Sequence, residues 1–315
     1  MLDSFNYSVD MVRLYTEIRP SQFQEIMDKF VYNPYVKYRE MKQIIAYRHN
    51  FYFSSTLKSD NELVEIGFDE YGNMYQKQKD ESYSFWLGAE HNARPFSKTV
   101  IDVVVQYNPN KCKDSELLRY VLENIFLNNP LTRVKNIDFA IDIPHNILDI
   151  RLLRDLRSSY RLIDNGSDDI THYMRKRGSN GHIKLYNKAR ENKERGNKTR
   201  YEITLKVDVD LRFIETYKVD YGLFPGLMIL NLDKQLGFDS VVDGTEKVLI
   251  WSCIDNPDYL KFLPYRRRKK IEGYIETLVE KVDFTNCRKV ENTIYNYFNT
   301  LKSEMSIKSF FNFTN

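Results

Sequence analysis

The segment KNIDFAIDI, residues 135–143, alternates apolar and polar side chains along its whole length. Its apolar row consists of Ile137, Phe139, Ile141 and Ile143. The positions between them include Asp138 and Asp142. Because successive side chains of a strand point to opposite faces of a sheet, this pattern predicts a strand with one buried face and one polar face.

Two later segments show the same alternation, GHIKLYNK at 181–188 and RYEITLK at 200–206. Their polar rows are His182, Lys184 and Tyr186 on the first segment, and Glu202, Thr204 and Lys206 on the second. An antiparallel sheet with one solvated face gives this pattern without any catalytic function, so that interpretation stays open. The alternative is a site in which carboxylates, cations and a tyrosine share one face.

Strands dominate the first two thirds of the chain and helical spacing dominates the remainder. Strands are predicted at about 5–16, 42–56, 62–69, 82–88, 99–107, 132–143, 170–177, 181–187 and 200–207. Helical spacing is found at about 22–30, 117–127, 149–157, 209–217, 224–236, 244–254 and 265–304. We therefore predict an α+β fold with a mixed or antiparallel central sheet, flanking helices and a mostly helical C-terminal part. The predicted division is a β-rich domain at 1–208 and a helical region at 209–315.

Composition narrows the class of protein only slightly. The chain has 315 residues, 42% of them hydrophobic, and a net charge of +3. Its three cysteines are widely spaced, which disfavours a disulfide framework or a zinc site. No apolar run approaches the ~20 residues of a membrane span, and no secretory signal is recognisable at the N-terminus. We expect a soluble, cytoplasmic protein with no membrane partner.

Basic residues are concentrated in two segments. Residues 175–200 contain ten Lys or Arg and two acidic residues. The candidate DNA-binding residues there are Arg175, Lys188, Arg190, Arg195 and Arg200. The second segment, PYRRRKK at 264–270, adds Arg266, Arg267, Arg268, Lys269 and Lys270. A phosphate backbone requires such clusters, but a solvated charge run or helix end is equally compatible with them. Cations around Tyr186 would also favour its phenolate form.

Several segments in the same order resemble the Rep_trans family, the replication initiators of small rolling-circle plasmids of Gram-positive bacteria. The matching segments are VVVQYNPNK at 103–111, RVKNIDFAIDI at 133–143, HIKLYNKARENK at 182–193 and RYEITLK at 200–206. Weaker matches are TEKVLIWSC and PYRRRKK in the C-terminal part. The resemblance covers about residues 100–280 and also extends to related conjugative relaxases.

The resemblance implies a role for individual residues of this chain. It places the DNA-nicking nucleophile on Tyr186 and metal-binding carboxylates on Glu202 and on Asp138 or Asp142. It places phosphate-binding roles on Arg177, Lys184 and Lys188. Asp138 and Asp142 lie about 13 Å apart on one strand, so at most one of them binds a single Mg²⁺ or Mn²⁺ ion.

The function implied is origin-specific DNA nicking that leaves a 5′-phosphotyrosine link and a free 3′ hydroxyl as primer. It also implies a homodimer, a host helicase as a possible partner, nicking by the first predicted domain, and DNA recognition with dimer contacts in the second. The five histidines are scattered, which argues against the two-histidine metal site of the other large class of rolling-circle nickases.

Two alternatives remain open from the sequence. A relaxase that nicks the transfer origin of a conjugative or mobilisable element would use the same chemistry. A non-catalytic DNA-binding regulator would keep the fold and lose the reaction, although the combination of Tyr186 with acidic positions disfavours it.

Overall fold

A computed structural model describes residues 2–42, 46–54, 64–68, 74–78, 83–91, 99–112, 115–153, 158–231, 242–285 and 287–311. The strands are β1 (Asn6–Ile18), β2 (Val36–Glu40), β3 (Tyr47–Ser54), β4 (Val64–Phe68), β5 (Met74–Gln78), β6 (Tyr83–His91), β7 (Ile101–Tyr107), β8 (Arg133–Ile143), β9 (Ile150–Leu152), β10 (Tyr160–Asp164), β11 (Ile170–Met174), β12 (Ile183–Asn187), β13 (Thr199–Asp210), β14 (Leu227–Leu230) and β15 (Val279–Val282). The helices are α1 (Pro20–Phe30), α2 (Glu116–Val121), α3 (Lys188–Glu191), α4 (Gly244–Asp255), α5 (Tyr265–Leu278) and α6 (Arg288–Phe311).

Within this described part, ten strands form one sheet in the order β10-β11-β12-β13-β8-β1-β7-β6-β3-β2. Every described register in this sheet is antiparallel. A three-stranded sheet, β15-β14-β9, and the ribbon β4-β5 are separate from it. The predicted α+β class and the antiparallel central sheet are confirmed.

Local signals in the sequence explain where the early helices begin. Pro20 stands at the first position of α1, and the Gln22 side chain accepts a hydrogen bond from the Arg19 amide. The Ser115 hydroxyl caps α2 by accepting from the Leu118 amide. The chain then continues as a π-helical segment, Leu122–Leu127, which the sequence pattern did not predict.

Part of the predicted C-terminal helical pattern is wrong. Residues 227–230 were predicted to be helical but form β14, while residues 232–236 of the same prediction lie outside the described residues. A run of four apolar residues suits a buried strand and a helix equally well, and here β14 is buried and paired on both sides. The predicted helix 265–304 is interrupted by β15. The predicted helix 149–157 contains β9 instead, and 154–157 lie outside the described residues.

The chain divides into two compact units, each made of several segments. The first comprises Met1–Ser8, Phe139–Leu205 and Lys218–Thr293; the second comprises Val9–Asp138, Lys206–Tyr217 and Ile294–Asn315. Among the residues with described structure, no helix combines the length and apolar character that crossing a bilayer requires.

Each unit has its own aromatic core. In the first unit, the Tyr201 ring lies 5.3 Å from the Phe284 ring. In the second unit, α1 packs through Phe30 against Phe53, which stacks on Phe85 with ring centroids 4.0 Å apart. The predicted apolar rows are confirmed, since Ile183, Leu185, Tyr201, Ile203 and Leu205 are completely buried.

Close backbone contact in the three-stranded sheet leads to a stability prediction. A Cβ atom at Gly226 would lie 2.7 Å from the Val282 carbonyl oxygen and 3.1 Å from the Leu153 side chain. Gly226→Ala should therefore lower the free energy of unfolding by about 1–3 kcal/mol, measured by urea denaturation.

Gly273 is the matched control, because it lies within α5 and a Cβ there would meet no atom within 4 Å. Gly273→Ala should stabilise the protein by about 0.5–1 kcal/mol through its higher helix propensity. Equal effects of the two substitutions would contradict the proposed contact at Gly226.

Candidate active site

The pairing of β12 with β13 brings the predicted site residues together. Lys184 lies directly opposite Glu202, and Tyr186 lies directly opposite Arg200. Residues directly opposite each other in an antiparallel pair project from the same face. The four side chains therefore share one face of the sheet, and the buried apolar row occupies the other.

The Tyr186 hydroxyl is held by charged groups. It donates a 2.6 Å hydrogen bond to Glu202 Oε1. The Lys188 ammonium donates to the phenol oxygen from 3.5 Å, and Lys184 Nζ lies 3.7 Å from the ring centroid. The arrangement combines a nucleophile, a proton acceptor and two cations.

This part of the polar face is not open to water, contrary to the expectation of a solvated face. Tyr186 is only 5% exposed, because Lys184 covers its ring and Lys188 at the start of α3 approaches its hydroxyl. The Asn187 side chain caps this short helix by accepting from the Arg190 amide. The phenol is therefore sheltered by residues of its own strand and of the turn that follows.

Glu191 is a site residue that the sequence analysis missed. Its Oε2 lies 2.5 Å from Lys188 Nζ, and its charge acts on the Tyr186 phenol. The spacing of three residues between Lys188 and Glu191 could have indicated this pair, because residues at i and i+3 are neighbours on a helix. Because the sequence pattern does not predict a helix at 188–191, this spacing alone does not indicate that the two side chains meet.

The pKa of Tyr186 is raised far above its ordinary value. Burial is the largest cause, followed by the negative charge and hydrogen bond of Glu202 and then by the charge of Glu191; Arg200 acts in the opposite direction. The expectation that nearby cations would favour the phenolate is therefore wrong, because burial and two carboxylates outweigh them. At neutral pH the phenol keeps its proton and requires a base to act as a nucleophile.

Asp142 and Arg200 form a tight ion pair. Arg200 Nε lies 2.6 Å from Asp142 Oδ1, and Arg200 Nη2 lies 2.9 Å from Oδ2. The Arg200 side chain is only 10% exposed, and the Asp142 side chain is only 13% exposed. Both Asp142 oxygens thus already neutralise a buried guanidinium, and Arg200 faces this carboxylate. The predicted metal role of Asp142 and DNA-binding role of Arg200 would each require this pair to separate.

The predicted metal site needs Glu202 and one aspartate, either Asp138 or Asp142. Asp138 is half-buried on β8 and belongs to the second unit, whereas Glu202 and Asp142 belong to the first. Among the described residues, no cluster of three or more His, Cys, Asp or Glu side chains has the geometry to hold a metal ion. Mg²⁺ and Mn²⁺ prefer several oxygen ligands, so an ion held by Glu202 and one aspartate would need further oxygens from DNA or water, and this metal site stays a prediction.

The other predicted cations fall into engaged and exposed groups. Arg175 Nη1 donates to the carbonyl oxygens of Gly181 and Leu223, each at 2.7 Å. Arg190 forms a 2.7 Å ion pair with Asp168. Lys269 and Lys270 are exposed but pair with Glu272 and Glu246. The exposed members without a described ion pair are Arg177, Arg195, Arg266 and Arg267. Arg175 therefore holds backbone together, and the exposed group is accessible to a phosphate.

Comparison with known proteins does not assign the chain to a family. No protein-family model matches the chain, and no curated protein sequence matches it. A solved structure of a rolling circle replication initiator protein from Geobacillus stearothermophilus aligns with 67% of this chain and 77% of its own. The identity is 13% and the TM-score is 0.36. A similarity of this size does not by itself indicate a shared function.

The buried ion pair yields a prediction about stability. Asp142→Ala should lower the free energy of unfolding by about 3–5 kcal/mol, because it leaves the Arg200 guanidinium buried without a counter-charge. Urea denaturation followed by circular dichroism measures the effect.

Glu194→Ala provides the control, since Glu194 and Lys198 form a pair whose side chains are 46% and 40% exposed. Its removal should cost less than about 1 kcal/mol. A loss for Asp142→Ala as small as that of the control would show that Arg200 does not depend on Asp142.

Proposed function

We propose that the chain is a DNA-nicking enzyme of the rolling-circle initiator type, with Tyr186 as its nucleophile. The observation that carries the proposal is the hydrogen bond from the Tyr186 hydroxyl to Glu202, with Lys184 and Lys188 beside the same phenol. A nucleophile in hydrogen-bond contact with a general base is the arrangement that covalent catalysis requires. The sequence resemblance to Rep_trans initiators independently selects the same tyrosine, and membership of that family is part of the proposal.

Glu202 acts as the general base in this mechanism. The phenol oxygen of Tyr186 forms a bond to phosphorus while its proton passes to Glu202. The bond between phosphorus and the 3′ oxygen of the preceding nucleotide breaks, and that oxygen takes up a proton to leave as a 3′ hydroxyl. The Lys188 ammonium is a nearby donor for this proton. The 5′ phosphate remains on the tyrosine, so the bond energy is retained for a later joining step.

The cations around the phenol bind the phosphate and stabilise its developing charge. Lys184 already lies over the tyrosine ring, and Lys188 would exchange its Glu191 partner for a phosphate oxygen. Arg177 is exposed in the turn between β11 and β12 and is proposed to contact the DNA backbone. This exchange would open the cover over Tyr186 only when a phosphodiester is present.

Dependence on Mg²⁺ or Mn²⁺ remains a proposal from the resemblance. A bound divalent ion would polarise the scissile phosphate. The steps above are derived from the chain's own residues and are not routed through such an ion. From the resemblance we also propose a homodimer, a helicase partner and a cytoplasmic location. We further propose that residues 1–208 nick DNA and that residues 209–315 recognise it and form dimer contacts. The resemblance extends to conjugative relaxases as well, so an assay of which origin is cut decides between replication and conjugative transfer.

Covalent capture tests the nucleophile directly. The full chain is incubated with single-stranded oligonucleotides of randomised sequence, digested with nuclease and protease, and analysed by mass spectrometry. The peptide containing Tyr186 should carry a nucleotide through a phosphodiester. Tyr186→Phe should abolish the adduct while its binding to the same oligonucleotides, measured by fluorescence anisotropy, stays within about twofold, because the phosphate-binding cations remain.

Tyr173→Phe is the matched control, because Tyr173 lies opposite Lys184 on the neighbouring strand β11. It should keep the adduct on Tyr186. An adduct on another residue of the wild-type protein, or an adduct that persists in Tyr186→Phe, would remove Tyr186 from the mechanism.

A second experiment separates the two possible roles of Glu202. Glu202→Gln keeps a hydrogen-bond acceptor but cannot take the proton, so adduct formation should slow by about 10²- to 10⁴-fold. Added Mn²⁺ should not restore the rate if Glu202 is the base. Restoration by Mn²⁺, together with loss of wild-type activity in EDTA, would identify Glu202 as a metal ligand instead.

A further inference from the structure

Residues 259–270 expose three aromatic rings among basic side chains. Tyr259 is 47% exposed, Phe262 is 82% exposed and Tyr265 is 66% exposed. The sequence of this segment, YLKFLPYRRRKK, contains six cations and no carboxylate. We call it the aromatic-basic segment.

These rings are not required by the core beneath them. That core is formed by completely buried aliphatic side chains of α4 and α5, among them Ile250, Ile254 and Ile271. Leu263, between Phe262 and Tyr265, is partly buried against it and anchors the segment. Several large aromatic rings that are exposed to solvent close together, beside a core that is packed without them, are typical of an interaction surface.

An open cleft lies beside the segment. It has a volume of about 530 Å³, and its lining includes Val248, Leu249, Leu263 and Arg267. Val248 is itself 68% exposed. The cleft is therefore an apolar surface with an arginine on its wall, and it is large enough to receive a planar ring.

The cations of the segment differ in what they contact. Lys269 pairs with Glu272 at 2.9 Å, and Lys270 pairs with Glu246 at 2.6 Å. In the part of the chain that the structure describes, Arg266 and Arg267 form no ion pair. Both arginines stand in the first turn of α5, where the helix dipole disfavours cations. Their placement is unfavourable for the helix alone and favourable for binding an anion.

We propose that the aromatic-basic segment binds single-stranded DNA, with bases stacked on the exposed rings and phosphates held by Arg266 and Arg267. The choice of DNA rests on the proposed function. Single-strand binding surfaces combine aromatic rings with a positively charged track in this way. Duplex DNA keeps its base faces inside the stack and could use only the charges. An acidic peptide would likewise have no need of several exposed rings.

The test uses the full-length protein and a fluorescent oligo(dT) of about 15 nucleotides, followed by anisotropy. Phe262→Ala and Tyr265→Ala should each weaken oligo(dT) binding by about fivefold to a hundredfold, since each removes one stacking surface. The control is Tyr32→Ala, because Tyr32 is 90% exposed but lies in the other unit. It should leave binding unchanged.

Two further measurements distinguish stacking from charge. Arg266→Ala should reduce the slope of log K against log salt by about 0.7, the value for one phosphate contact on a single strand. A duplex of the same length should bind the wild type more weakly and should be insensitive to Phe262→Ala. Unchanged oligo(dT) binding by both ring variants, or equal competition by polyglutamate, would overturn the proposal.

The outcome is separable from that of the proposed function. Tyr186→Phe should bind oligo(dT) as the wild type does, whether or not Tyr186 is the nucleophile. Conversely, Phe262→Ala should still form the Tyr186 adduct at saturating DNA. If the wild type forms no adduct but binds oligo(dT), and the ring variants bind it more weakly, only the nicking mechanism is refuted. If the wild type forms the adduct and the ring variants bind oligo(dT) as tightly as it does, only the stacking surface is refuted.

Discussion

The hydrogen bond between Tyr186 and Glu202 connects two neighbouring strands on the polar face of the sheet, at a point sheltered from water. It satisfies a phenol that is almost out of contact with water, where an unpaired polar group would be costly. Its existence depends on strand register, because a slip of one residue in β12 or β13 would send one partner to the opposite face. Fixed register thus makes both the stability and the proposed chemistry possible.

Burial changes what the surrounding cations can do. In water, Lys184 and Lys188 would favour the phenolate, but at this site burial and the carboxylates hold the proton on Tyr186. The cations are then better suited to bind phosphate, and the proton is left to Glu202. On the same strand, the Arg200 guanidinium is also neutralised by a carboxylate, that of Asp142, and is largely shielded from solvent.

The C-terminal part shows a different balance between local pattern and tertiary context. The run at 227–230 has no periodicity that separates a helix from a strand, and its partners β9 and β15 lie at distant positions in the chain. Pairing with them decides its conformation. By contrast, α4 and α5 bury their own aliphatic side chains in a common core. Tyr259 and Phe262, between these helices, and Tyr265, at the start of α5, remain outside it.

Period-two alternation together with helical spacing in the sequence was sufficient to determine the α+β class. Alternation alone determined the buried rows of β8, β12 and β13 and the presence of Tyr186 and Glu202 on polar rows, because such patterning is a local property. Only the tertiary structure decided which polar residues meet. It paired Asp142 with Arg200, added Glu191 through a four-residue helix, and covered the tyrosine. These contacts depend on strand order and on burial, which neighbours in sequence do not specify.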